Sequence, residues 1–166
     1  MNLLLSVKGL TQSHANRMTA ADLHTWAEVF QLGYGAVGLL DSLEGHHLYA
    51  EARGDYRHSV SALLSGEELG KARWESSQCA EKVMKGLLAQ AGHSYPTGGK
   101  NGHSIVHLGD LLRSKLTINL DPEDLKLIDC SPAVRYGEEA TTRERALAAH
   151  YALLRMLAAL SARRMG

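Results

Sequence analysis

Two arginines and a histidine near the end of the chain have the spacing of a catalytic pair. The segment reads RERALAAH, so Arg143 and Arg145 precede His150 by seven and five positions. A histidine can act as an acid or base near neutral pH, and a guanidinium can hold a phosphate and stabilise developing negative charge. Such a pair could cut RNA by activating its 2′-hydroxyl, without a metal ion.

The direction of each side chain separates the two possible pairs. At about 100° per residue, seven positions bring Arg143 to within about 20° of His150, whereas five positions leave Arg145 about 140° away, toward water. The competing interpretation is that these residues only pack the end of a helix. Because Arg53 and His58 repeat the Arg-x4-His pattern, the motif alone does not decide between the two.

The elements that must position this pair are all predicted to be helices. Apolar residues recur every three or four positions over 48–64, 72–91 and 105–116, and short connections such as Ser65-Gly66 predict antiparallel neighbours. Thr141 and Glu144 form a capping-box pattern that starts the last helix, which runs to about Arg163. The sequence predicts an all-α, up-and-down bundle of four to five helices.

The first 49 residues are predicted to be a separate N-terminal helical extension, preceding a main domain of residues 50–166. Within the extension, Thr19 and Asp22 suggest a helix start, and GYGAVG, from Gly33 to Gly38, is predicted to interrupt that helix. The glycines match G-x-G-x-x-G by letter. They follow a helical pattern and not a strand, which argues against a dinucleotide fingerprint.

Composition limits the classes of function. The 166 residues carry 18 Lys and Arg against 18 Asp and Glu, so a broad electrostatic grip on nucleic acid is not indicated. Two cysteines do not make a disulfide framework, and no apolar stretch approaches the roughly 18 residues of a membrane span. MNLLLSV is too short for a signal-peptide core. We expect a soluble cytoplasmic protein that does not enter a membrane.

Several blocks of the main domain resemble HEPN domains over roughly residues 50 to 163. The matching features are a leucine pair and glycine between two helices, an Ala-Glu-Lys-x-x-Lys-x-Leu-Leu block, a Gly-x-x-Tyr-Pro turn, a His-x-x-x-x-Leu helix start and an Arg-Tyr turn. They are carried by Leu63, Leu64, Gly66, Ala80, Glu81, Lys82, Lys85, Leu87, Leu88, Gly92, Tyr95, Pro96, His103, Leu108, Arg135 and Tyr136. Ser104 and Gly137 replace the family's usual Asp and Pro.

The resemblance implies a helical bundle that commonly forms homodimers and is often encoded beside a minimal nucleotidyltransferase. It implies a nucleotide- or RNA-associated binding module, within a toxin–antitoxin or defence system. The alternative is a metal-independent ribonuclease toxin that uses Arg143 or Arg145 with His150. Members with the Ala-Glu-Lys and Arg-Tyr blocks frequently lack the Arg-x(4–6)-His motif, which favours the binding module.

Four residues are candidates for contacting a nucleotide or RNA. Lys82 and Lys85, with Arg135 and Tyr136, would form a modest basic and aromatic patch where a base stacks and a phosphate pairs. The competing interpretation is that the lysines are simply solvated on a helix surface. No cofactor is indicated.

Two further groups of residues have the spacing of a ligand site, but other features of the sequence argue against one. His103, His107 and Asp110 share a helical face with zinc-ligand spacing, but the neighbouring Arg113 disfavours a cation, so we predict no metal. The glycines around Lys100 could hold a phosphate, but a plain connecting loop is the preferred interpretation.

Overall fold

The computed structural model describes residues 9–98 and 101–164, and every regular element in these ranges is a helix. The all-α bundle is therefore confirmed. No helix within these ranges combines the length and apolar character that crossing a membrane requires. The elements are α1 (Gln12–Ala15), α2 (Ala20–Ser42), α3 (His47–Ser65), α4 (Leu69–Gln90), α5 (Ile105–Leu116), α6 (Pro122–Ile128), α7 (Pro132–Arg135) and α8 (Arg143–Arg164).

Helices α3 and α4 form the antiparallel hairpin that the sequence predicts. Gly66 ends α3 in the left-handed region, at φ 75°, where a glycine avoids the steric cost of a side chain. At the far end of the hairpin, the Tyr49 hydroxyl donates to Gln90 Oε1 at 2.9 Å. At the near end, Ala62 and Ala72 share a buried cluster. The short link thus reverses the chain and aligns two amphipathic faces.

Helix α8 lies against both helices of this hairpin, parallel to α4. Ala146, early in α8, shares the buried cluster of Ala72, early in α4. Leu160, late in α8, lines the same cavity as Val83, late in α4. Because α3 runs opposite to α4, it also runs opposite to α8. This arrangement determines which residues of α3 face His150.

Helix α2 runs unbroken from Ala20 to Ser42, so the predicted interruption at GYGAVG is wrong. Each glycine inside a helix costs about 1 kcal/mol relative to alanine. Packing offsets that cost, because Ala36, Leu39 and Leu40 are buried in the core cluster. Gly35 faces α8, where a Cβ on it would lie in ordinary contact with Ala158, at 3.8 Å.

The last third of α2 belongs to the main core. Ala36, Leu39, Leu40 and Leu43 are nearly fully buried in the same cluster as residues of α4, α5 and α8. The predicted boundary between residues 49 and 50 falls inside α3. The N-terminal residues of α2 extend beyond this core, and most of them are exposed.

The helix caps follow the sequence with one exception. Gly92 follows the end of α4 at φ 79°, and Asp121 caps α6 ahead of Pro122, both as predicted. The predicted cap of α8 is off by one residue, because Thr142 Oγ1 accepts the Arg145 amide at 3.3 Å. Thr141 Oγ1 is instead buried and has no hydrogen-bond partner among the described residues.

Candidate functional site

His150 lies inside the bundle, where α3, α4 and α8 meet. Only 8% of the residue is exposed, and its ring stacks on Tyr56 with the centroids 5.6 Å apart. Nδ1 lies 3.0 Å from Ser59 Oγ and 3.3 Å from Ser76 Oγ. Burial lowers the pKa of His150 from 6.5 to about 4, so the imidazole is neutral at physiological pH.

The two serines complete a hydrogen-bond chain that assigns the histidine tautomer. Ser76 Oγ donates to the Ala72 carbonyl at 3.0 Å, and the two serine oxygens are 2.7 Å apart. Since the Ser76 proton is used, Ser59 must donate to Ser76, and His150 Nδ1–H must donate to Ser59. His150 Nδ1 and both serine hydroxyls then have partners, which is the arrangement expected of a packed histidine.

The two arginines of the motif lie away from this chain. Arg143 and Arg145 are both exposed at the start of α8. The Arg143 guanidinium lies beside Gly66, because Nη1 is 3.3 Å from where a Cβ on that glycine would be. Gly66 and Ser59 are seven residues apart on α3, or about 10 Å along its axis at 1.5 Å per residue. Arg143 and His150 share a side of α8 but differ in exposure.

The burial of His150 limits the acid–base chemistry that the arginine–histidine pair can perform. An acid–base histidine must reach the reacting hydroxyl within about 3 Å, directly or through one water. His150 is enclosed, its Nδ1 is bonded to serine, and its low pKa makes it a poor proton donor at neutral pH. These contacts favour the packing interpretation. In the second Arg-x4-His match, Arg53 has a structural role, because it donates hydrogen bonds to the Leu40 and Leu43 carbonyls at the end of α2.

Lys82 of the predicted patch is paired with carboxylates of α3. Its ammonium lies 2.8 Å from Asp55 and 3.3 Å from Glu51. Burial raises the pKa of Asp55 to about 6, against the opposing effect of Lys82, and Glu75 contributes further to the rise. Burial acts to lower the pKa of Lys82, but the hydrogen bonds that its ammonium donates to Asp55 and Glu51 outweigh burial and raise it. Lys82 is therefore a charged link within the α3–α4 seam.

Lys85 belongs to a second, more enclosed cluster, about 60° from Lys82 around the axis of α4. Lys85 Nζ donates to Glu81 Oε1 and to the Gly102 carbonyl, both at 2.7 Å, and lies 5.7 Å from the Tyr95 ring centroid. The ammonium and the carboxylate are each almost fully buried. Glu81 also binds His103, whose Nδ1 is 3.0 Å from Oε2. The buried ion pair thus anchors a half-exposed histidine.

Arg135 and Tyr136 are together at the end of α7, and both are exposed. The guanidinium carbon of Arg135 lies 5.7 Å from the Tyr136 ring centroid and 6.0 Å from that of Trp74. Trp74 packs below with Cys130 and Val134. The structure brings this arginine and tyrosine together, but Lys82 and Lys85 reach different partners, so the four residues do not form one continuous surface.

A cleft lies between the Lys85 and Arg135 clusters, where the start of α5 faces the segment that connects α6 and α7. Its volume is about 650 Å³. Its lining combines cationic and hydroxyl groups, one carboxylate and apolar walls, contributed by His103, Ser104, Val106, Lys126, Asp129, Cys130, Ser131 and Pro132. The sequence did not predict this cleft, because its walls are more than 20 residues apart in the chain.

The polar groups of the cleft retain bonding capacity. Ser104 and Ser131 Oγ accept the amides of His107 and Ala133, which leaves each hydroxyl proton free to donate. His103 Nε2 makes no hydrogen bond within the described residues. Sequence reasoning named Glu81 only within the HEPN-like block and did not assign it to a site, although its spacing of four from Lys85 is that of a helical ion pair.

Metal binding finds no support in the described ranges, where no three His, Cys, Asp or Glu side chains are grouped as ligands. Of the face weighed above, His103 binds Glu81, and Asp110 pairs with Arg113 at 2.7 Å. Lys100 and its neighbour Gly99 lie outside the described residues. Compared with known proteins, the chain matches no family model, no curated protein and no solved structure. The HEPN resemblance therefore stays a prediction.

Proposed function

We propose that the protein is a HEPN-like binding module that takes a nucleotide in the cleft between His103 and Ser131, as part of a toxin–antitoxin or defence system with a nucleotidyltransferase-type partner. The observation that carries the proposal is the cleft itself, with a half-exposed histidine anchored at its edge by a buried ion pair. Its volume of about 650 Å³ is within the usual range for small-ligand sites.

Each part of a nucleotide has a matching group in the lining. The Lys126 ammonium and the hydroxyls of Ser104 and Ser131 suit a phosphate, which needs donors and positive charge. Lys126 forms an exposed pair with Glu123, a kind of contact that contributes little and exchanges readily. Asp129 offers an acceptor for ribose hydroxyls or a base amine.

The buried pair beneath His103 explains why this histidine is held in place. With Nδ1–H donating to Glu81, Nε2 is the remaining polar atom, an acceptor in the neutral ring and a donor in the cation. Lys85 balances the charge of Glu81 in a site that water barely reaches. In this proposal Glu81 and Lys85 position His103, and His103 contacts the ligand.

Calorimetric titration with adenine and guanine nucleotides tests the proposal. We expect Lys126→Ala and His103→Ala to weaken binding at least fivefold, about 1 kcal/mol. Lys71→Ala is the matched control, because Lys71 also forms an exposed pair with a glutamate three residues earlier but does not line the cleft. Absence of binding at millimolar nucleotide, or equal loss in the control, would overturn the proposal.

The ribonuclease alternative is tested with the same preparations. Labelled RNA is incubated with the protein in EDTA, since cleavage by an arginine and a histidine needs no metal. Arg143→Ala is the informative variant, because Arg143 is exposed and its removal leaves the core intact. Turnover that this variant abolishes would replace the binding module with a ribonuclease.

A further inference from the structure

The N-terminal part of α2 carries a second apolar face that the described chain covers only in part. It consists of Leu23, Trp26, Phe30, Tyr34 and Val37, which we call the α2 stripe. Trp26 and Phe30 are half-buried, while Leu23, Val37 and above all Tyr34, at 74%, are exposed. Phe30 and Tyr34 stack with centroids 6.1 Å apart.

The stripe points away from the face by which α2 joins the core. At about 100° per residue, its members cluster around a direction some 120° from that of Ala36, Leu39 and Leu40, which are buried against the other helices. Three members, Leu23, Phe30 and Val37, are spaced by seven residues, the repeat by which two helices pack along a seam. The occupant that such a face fits is another helix.

The spacing of the stripe identifies that helix. Successive members are separated by three, four, four and three positions, so the pattern is the same when read backward about Phe30. An identical helix laid antiparallel therefore brings Phe30 against Phe30, Trp26 against Tyr34, and Leu23 against Val37. Two-fold interfaces require this kind of self-complementary patch. We infer that the α2 stripe is a homodimer interface, in which α2 pairs antiparallel with α2 of a second copy.

The charge of α2 is compatible with pairing to a second copy of the helix and not with binding to an anionic surface. Between Ala20 and Ser42 the helix has three carboxylates, Asp22, Glu28 and Asp41, and no lysine or arginine. Acidic lipid or RNA would be repelled. In the antiparallel pairing Asp22 lies opposite Gly38 and Glu28 opposite Leu32, so neither of these carboxylates directly faces another. Glu28 is also paired with His24 at 3.2 Å.

The area indicates a reversible dimer. The face from Thr19 to Asp41 is about 33 Å long at 1.5 Å per residue, and a strip about 12 Å wide covers on the order of 400 Å² per copy. The total of about 800 Å² is below the roughly 1,200 Å² of stable specific complexes. We therefore expect dissociation on dilution, in the micromolar range.

Sedimentation velocity measures the association at protein concentrations on the order of 1–500 µM. This range covers the micromolar dissociation expected of so small an interface. Tyr34→Glu should shift the midpoint at least tenfold, because it places charge in the seam. Gln31→Glu is the matched control, since it adds the same charge to an exposed position of α2 outside the stripe and should leave the midpoint unchanged. Circular dichroism verifies that both variants fold. A chain that stays monomeric throughout, or equal shifts in both variants, would overturn the interface.

Crosslinking tests the antiparallel register. Phe30→Cys alone should give a covalent dimer with a short bismaleimide, because each Phe30 faces its own copy. Leu23→Cys should crosslink when mixed with Val37→Cys and not by itself. The native thiols, Cys79 and Cys130, are buried and should not interfere. Crosslinking of Leu23→Cys by itself would indicate a parallel pair and contradict the inference, because Phe30 faces its own copy in both arrangements.

Discussion

The enclosed position of His150 predicts how the stability of the fold responds to acid. Its pKa is about 4 in the folded protein and about 6.5 in the unfolded chain. As the pH falls, the unfolded chain binds this proton first, and the difference in proton uptake favours unfolding. The contribution of neutral His150 is complete above pH 6.5, declines between pH 6.5 and 4, and is lost below pH 4.

The size of the effect follows from the same two values. One pKa unit corresponds to 1.36 kcal/mol, so lowering the pH from 7.5 to 4.5 should reduce the free energy of unfolding by about 2–3 kcal/mol through His150 alone. That is a large part of the roughly 5–15 kcal/mol by which small domains are stable. Urea unfolding at several pH values measures the wild-type curve.

His150→Asn isolates this contribution. The asparagine amide takes the place of Nδ1 beside Ser59 and does not titrate. The variant should be less stable at pH 7.5, because it loses the stacking on Tyr56, but its curve should lack the His150 slope, so the difference from the wild type should shrink toward pH 4.5. Parallel curves for the two proteins would refute the reasoning. The proton resonances of His150, followed by NMR in the wild type, give its pKa directly.

Three further predictions concern other buried groups. Asp55 has a raised pKa of about 6, so its ionisation lowers the free energy of unfolding as the pH rises through that value. In the same urea series, Asp55→Asn should remove about 2 kcal/mol of this loss between pH 4.5 and 7.5. Gly86→Ala should lower the free energy of unfolding by about 1–3 kcal/mol, since a Cβ there would overlap the Tyr49 ring. Gly54→Ala should raise the free energy of unfolding by about 0.5–1 kcal/mol, because the space around Gly54 is open. Burial raises the pKa of Cys79 and raises that of Cys130 to about 11, so neither thiol should react with a thiol reagent at pH 8 until the protein unfolds.

The helices of the main bundle were predictable because local signals and tertiary packing agree there. The Ser65-Gly66 link, the Gly92 stop and the Asp121-Pro122 start each act within a few residues. At GYGAVG the two disagree, because glycine propensity predicts a break while the burial of Ala36, Leu39 and Leu40 against residues of α8 keeps the helix continuous. A single sequence gives no information on a neighbour that lies more than 100 residues away.

The candidate site was only partly predictable, for the same reason. Periodicity placed Arg143 and His150 on one side of α8, but the burial of His150 depends on Ser59 and Ser76, which belong to two other helices. Lys85 was recognised as a candidate, but its burial by Glu81 was not. Side-chain types indicate which chemistry is available. Exposure decides whether it is used, and exposure depends on long-range contacts.

The contact between α2 and α8 has a consequence for synthesis on the ribosome. Gly35 packs on Ala158, so the first long helix completes its packing only with the last one, about 120 residues later. At about 5–20 residues per second, α2 waits on the order of 6–24 s for its partner. During that time Leu39, Leu40 and Leu43 lack their final neighbours on α8, and a nascent chain is open to chaperone binding or to premature association with another copy.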